Sequence, residues 1–244
     1  MNWKCGPWGR GNAAPCPYAG PTAVIDMKNA FAPISEVALR LPVKGQGDAL
    51  PVQLILAGEK KFLSFGVEAL PGEKKELIFA ADVFENAELE VAVFVRGGGE
   101  ILLSRTLNVL GKGARVSLKC SGIMEGTGRV LAGDDVRVTG EGSQVDIRTK
   151  IVLRDSAVSE SRSRVTLEHS ARGTNAFARI DYLLLGEHAK GSSIPELEVR
   201  IDDVMCGHAA SSSSPTPSSL EYLTGRGLDE KTASDLLVHG FLVI

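Results

Sequence analysis

Residues 143–153 read SQVDIRTKIVL. Val145, Ile147, Thr149, Ile151 and Leu153 fall on one side of an extended chain and Asp146, Arg148 and Lys150 on the other, because successive strand side chains point to opposite faces. Such a strand keeps one face in a core and one in water. ELEVRID, residues 196–202, repeats the scheme with Leu197, Val199 and Ile201.

Working outward, turn signals recur at GKGAR from Gly111, GTGR from Gly126, GEGSQ from Gly140, DSAV from Asp155, GTNA from Gly173 and GEHAK from Gly186, in steps of 15, 14, 15, 18 and 13 residues. Two architectures fit short strands at near-constant spacing: an antiparallel sandwich or barrel, and a solenoid of stacked coils. Sandwich hairpins favour compact Asn-Gly or Asp-Gly loops. These turns vary in length and each leads into a strand of similar reach, so the pattern predicts an all-β fold, a parallel β-helix with two flattened faces, over about 111 to 205. A solenoid must also cap its ends, because a terminal coil leaves strand edges unpaired.

The flanks differ in composition. Residues 1–20, MNWKCGPWGRGNAAPCPYAG, are rich in Gly and Pro without apolar periodicity and read as an irregular tail. From 21 the chain is strand-rich through LPVQLILAGE, KELIFAADV and ELEVAVFVRGGGEILLSRTLNVL, so 21–205 forms one β region. Residues 206–244 read as a linker and a small α-helical segment: AASSSSPTPSS as a flexible connector, then a helix in PSSLEYLTGRG preceded by serine. A last helix follows in LDEKTASDLLVHGFLVI, with Asp229 as N-cap.

Composition bounds the function. A hydrophobic content of 43% over 244 residues supports a substantial core. The 27 basic and 30 acidic residues are interspersed, so no electropositive stripe offers itself to a phosphate backbone and nucleic acid is not an expected partner. The longest apolar runs fall far short of the roughly 20 residues of a spanning helix, and no charged-then-apolar leader opens the chain. The expectation is a soluble, cytoplasmic protein that does not meet the membrane. No G-x-x-x-x-G-K-[ST] motif occurs, so this chain is expected to bind no nucleotide.

Cys5, Cys16, Cys120 and Cys206 are too scattered for paired C-x-x-C ligation, and His169, His188, His208 and His239 are equally dispersed. One close pair stands out, Cys206-Gly207-His208. Two residues apart on an extended segment, thiol and imidazole point to the same side and can converge on one Fe or Zn ion. Two ligands do not complete a site, so the remainder must come from a second subunit. Two other readings stay open: a small buried cysteine beside a hydrogen-bonded histidine, and a Cys–His nucleophile pair oriented by Asp202 or Asp203.

The segments IDDVMCGHAAS and LEYLTGRGLDEKTASDLLVHGF resemble the end of the SufB/SufD family, scaffolds of iron–sulfur cluster assembly. There an Asp-Asp-Val, Cys-x-His-x-Ala segment precedes a Tyr-Leu-x-x-Arg-Gly helix and a closing Gly-Phe helix. SufB-like members carry a cysteine after that tyrosine, whereas Leu223 follows Tyr222 here, as in the SufD-like branch. The resemblance implies a right-handed parallel β-helix and a non-catalytic scaffold. It implies a transient iron–sulfur cluster at a subunit interface, with Cys206 and His208 as the metal ligands. It implies a SufB-like partner or a second copy at the β-helix end, and a SufC-like ABC ATPase bound through 217–244. It also raises a sulfur-relay role for Cys120 beside simple core filling. Against it stand a β-helix interaction module without cluster chemistry and a Cys–His hydrolase or transferase.

Overall fold

The computed structural model describes residues 39–42 and 52–243. The expected tail of 1–20, with Cys5 and Cys16, lies outside them. The strands are β1 (Leu39–Pro42), β2 (Gln53–Ile55), β3 (Lys60–Ala69), β4 (Lys74–Val83), β5 (Glu88–Gly97), β6 (Glu100–Val109) and β7 (Arg115–Met124). They continue as β8 (Arg129–Val138), β9 (Gln144–Leu153), β10 (Val158–Leu167), β11 (Asn175–Leu184), β12 (Lys190–Val199) and β13 (Met205–Ser213). The helices α1 (Pro217–Gly225) and α2 (Glu230–Leu242) follow.

Odd-numbered strands stack in the order β1-β3-β5-β7-β9-β11-β13 and even-numbered strands in the order β2-β4-β6-β8-β10-β12. Every pairing among the described residues is parallel, and the long strands stack without slippage: Val116 lies beside Val145, and Val145 beside Ala176. This is the two-faced parallel β-helix that the turn spacing predicts over 111–205. The coils also run below residue 111, through β3 to β6, where the sequence alone showed only strands. Side chains reaching from coil to coil span 28, 29 and 31 residues of sequence, about two turn steps per coil.

The alternation in β9 appears as expected, with Val145, Ile147, Thr149, Ile151 and Leu153 all buried. Parallel strands bring identical side-chain columns into contact, and the interior is a ladder of Val, Leu, Ile and Ala from both sheets. The turns stack too. Gly113, Gly142 and Gly173 adopt φ of +66°, +65° and +67°. Each donates its N–H to a carbonyl one coil on, Glu141, Arg172 and Asp203, at 2.8, 2.7 and 2.7 Å. Glycine enters that left-handed conformation at least cost, and Asn86, at φ +52°, takes the equivalent place one coil earlier with its N–H to the Lys112 carbonyl at 2.9 Å. The outer faces carry cross-coil ion pairs such as Lys60–Glu88 and Lys74–Glu100. Exposed as they are, solvent screens them and each contributes little to stability.

Three expectations are corrected at the C-terminal end. The serine tract does not start a flexible connector: residues 205–213 are β13, bonded along its length to β11. A parallel ladder uses main-chain groups, so Ser and Ala suffice where a neighbouring strand supplies the register. Ile201, assigned by alternation to a strand, lies in the turn after β12, which ends at Val199. The N-cap of α1 is Thr216 rather than a serine, with Pro217 in the first turn; Asp229 caps α2 as expected, accepting from the Thr232 N–H.

Helix α2 lies on the outer face of the odd-numbered sheet. Val238 is buried against Val152 and Leu183, and Phe241 and Leu242 join Ile123 and Leu185 in the same cluster. Arg154 pairs with Asp235 at 3.2 Å, and the Lys150 ammonium donates to the Val243 carbonyl at 2.7 Å. These wall residues break the polar-out rule of their strands because a helix covers them.

Candidate functional site: the open end of the solenoid

β12 and β13 form the last coil, and each is the terminal strand of its sheet. Register fixes which way β13 faces. Cys206 lies beside Ala176 and His208 beside Ala178, and both alanines are buried in the interior. Cys206 and His208 therefore stand on the inner face of the coil, on the same side, as their two-residue spacing predicts. With no further coil above them among the described residues, Cys206 is half-buried against the core and His208 is exposed. The columns beneath them shrink upward, from Val116 and Val145 to Ala176, and from Leu118 and Ile147 to Ala178. Small side chains leave the pair standing over a shallow floor.

Gly207, between them, faces outward; a Cβ there would sit 3.5 Å from the Phe177 ring, which is 45% exposed. Further along β13, Ser211 donates to Asp181 at 2.6 Å, and Arg179 pairs with the same carboxylate at 2.7 Å. Burial alone would raise the Asp181 pKa. Hydrogen bonds from Arg179 and Ser211, with the charges of Arg179 and Lys150, outweigh it and hold the carboxyl below its ordinary value. That cluster fastens the last strand to the wall.

Among the described residues no group of three or more His, Cys, Asp and Glu side chains gathers to hold a metal ion. Cys206 and His208 thus have no third protein ligand in their own chain's described part. Asp202 and Asp203, the candidate orienting groups for a nucleophile pair, are exposed in the turn before β13.

The other sequence candidates separate cleanly. Cys120 is fully buried on β7, where burial pushes its thiol up to about 11 against the opposing pull of Arg105. It fills core and is a thiol, not a thiolate, at neutral pH. His169 and His188 are exposed in turns and His239 is half-buried in α2. Tyr222 and Leu223 sit in α1, with Tyr222 62% exposed under the Arg226 guanidinium at 5.2 Å.

Three features escaped the sequence reading. Arg105 and Asp134 are buried inside the solenoid. Ser159, Ser161 and Ser163 point inward from β10. Tyr182 spans the interior, its phenol donating to the Ser192 carbonyl at 2.8 Å. In VSESRSRV both alternating faces are polar, so period two announces a strand without saying which side is inside. No helix among the described residues is long and apolar enough to cross a membrane.

Comparison with known proteins matches residues 79–241 to the family model for the SUF system FeS cluster assembly, SufBD core domain. The iron–sulfur cluster assembly protein SufD of Bacillus subtilis (strain 168) is 31% identical over 157 residues, 64% of this chain and 36% of that protein. An iron–sulfur cluster assembly SufBD family protein of Mycobacterium tuberculosis (strain ATCC 25618 / H37Rv) is 32% identical over 97 residues, 40% of this chain and 12% of the relative. One from Pyrococcus horikoshii is 31% identical over 94 residues, 38% of this chain and 21% of the relative. The chain thus matches little more than a third of the length of these relatives at most.

Proposed function

The chain belongs to the SufBD core-domain family of the SUF system, and from that membership we propose that it is a SufD-like scaffold subunit that offers Cys206 and His208 to an iron–sulfur cluster shared with a second subunit. The observation that carries this reading is the placement of the two side chains on the inner face of the last coil, with neither a covering coil nor a third ligand beside them among the described residues. Thiolate and imidazole suit iron, and the missing ligands come across the interface. The scaffold itself performs no catalysis, and its place is the cytoplasm.

The partner at this end is a SufB-like subunit or a second copy. β13 favours such a contact because its outer edge is nine residues of Met, Cys, Gly, His, Ala and Ser. No Lys, Glu or Pro blunts it, as solitary edges usually are blunted. The nucleotide is bound by a separate ABC ATPase that docks on the helices of 217–244. Phe241 is already engaged with the wall, so the ATPase meets the face of α1 and α2 that presents Tyr222 and Leu236, 62% and 46% exposed.

Anaerobic reconstitution with iron and sulfide, in the presence of a SufB-like subunit, tests the ligand assignment. His208→Ala and Cys206→Ser should each lower cluster absorption severalfold while the complex stays assembled. Unchanged cluster yield from His208→Ala in the assembled complex makes the corner structural and rejects the assignment. Tyr222→Glu with Leu236→Glu should abolish co-purification with the ATPase and leave cluster ligation by the assembled pair intact.

A further inference from the structure

We propose that Ser159, Ser161 and Ser163 hold ordered water inside the solenoid, in a site bounded by Asp134 on one side and Tyr182 on the other. The three serines are 0%, 4% and 1% exposed, and none of their hydroxyls has a hydrogen-bond partner among the described residues. They stand at alternate positions of β10, roughly 6.6 Å apart along the strand, too far to bond one another. Buried hydroxyls are almost always satisfied, by protein or by ordered water, because an orphaned one forfeits its hydration with no return.

Small side chains and polarity coincide at this site. In register, the column Ile101, Val130, Ser159, Gly191 narrows toward the open end, as does Leu103, Ala132, Ser161, Ser193. The opposite sheet contributes Tyr182, whose ring occupies the space a side chain at Gly191 would take. Its phenol proton goes to Ser192, which leaves the oxygen's lone pairs to accept. Ser161 and Ser159 lie near enough to this phenol to oppose, as loose hydrogen-bond partners, the rise that burial gives its pKa, but neither hydroxyl meets it at hydrogen-bond geometry. Ser163 lies beside Asp134, whose two oxygens each take one Arg105 N–H and retain further accepting capacity. An internal water needs two to four polar partners. Hydroxyls at 159, 161 and 163, the Ser193 side chain, the phenol and the carboxylate supply them. The inference stands apart from the ligand assignment of Cys206 and His208.

A high-resolution crystal structure of the full chain, with oxygen-17 magnetic relaxation dispersion in solution, decides it. Density within hydrogen-bond distance of at least two of the three hydroxyls is expected, along with a long-lived water signal. The signal should fall in Ser161→Ala and Ser163→Ala variants that keep the native circular dichroism, and Tm should stay level or drop. A dry site in the crystal overturns the proposal even if neither variant folds. So does an unchanged dispersion in variants whose Tm rises, the result expected when alanine relieves an orphaned hydroxyl.

Discussion

Arg105 and Asp134, neighbours on β6 and β8, meet inside the solenoid through two parallel hydrogen bonds, Nε to Oδ1 at 2.7 Å and Nη2 to Oδ2 at 3.0 Å. The guanidinium is fully buried and its remaining reach goes to the Lys119 carbonyl at 3.1 Å. Burial works against its charge, and the carboxylate with its hydrogen bonds overcomes that, so the arginine holds its proton more firmly than usual. Removing one member strands the other. Asp134→Ala should cost about 3–5 kcal/mol in urea unfolding, whereas Arg105→Met with Asp134→Leu should return most of it. A single-variant loss below about 1 kcal/mol would mean that water already reaches the pair.

Two glycines in the same β-helix should respond with opposite sign. A Cβ on Gly191 would lie 2.5 Å from the Tyr182 ring, and that ring is locked in the core. Gly191→Val should therefore destabilise by about 1–3 kcal/mol through overpacking. At Gly133 the nearest atom to an added Cβ is the Leu103 carbonyl oxygen at 3.8 Å, and the backbone is not left-handed. Gly133→Ala should be neutral or stabilise by up to about 1 kcal/mol. Thermal unfolding of the two variants reads both signs.

The fastening of β13 should be acid-labile. The folded-state pKa of Asp181 lies below its unfolded value of 3.8. The stability it contributes is present above that unfolded value and is lost as pH falls through the folded one. Amide exchange in β13 should accelerate on acidification below pH 3.8 before the interior strands open. Asp181→Asn should make β13 exchange faster at neutral pH and flatten the acid dependence. Equal acid sensitivity in wild type and variant would locate the latch elsewhere.

The coils from β7 onward were legible because the inward columns of β7 and β9 are apolar and most of their turns carry glycine at a near-constant step. β3 to β6 announced strands but not coils: in a parallel stack each residue's neighbour is about thirty positions away, and local periodicity is blind to it. The serine tract misled for a different reason. Ser and Ala have little strand preference of their own, and β13 exists because β11 presents a finished row of main-chain donors and acceptors. Cys206 and His208 were readable as a pair, since two-residue spacing in a strand fixes a common side. That they stand at an open end required the count of coils. Val152 and Leu183 gave a signal that went unused: KIVL and YLLLG each place an apolar side chain on the face that alternation assigns to water, and α2 is what sits there.

The last strand belongs to one sheet alone, so the end of the molecule is a stair and not a flat plate. The tread is β12 and the riser is β13, and around one full coil the chain climbs one strand spacing, about 4.8 Å. A plate would accept a mating surface at many rotations, but a stair accepts a matching stair at one. Whatever seats here has its azimuth set by the backbone before any side chain is consulted.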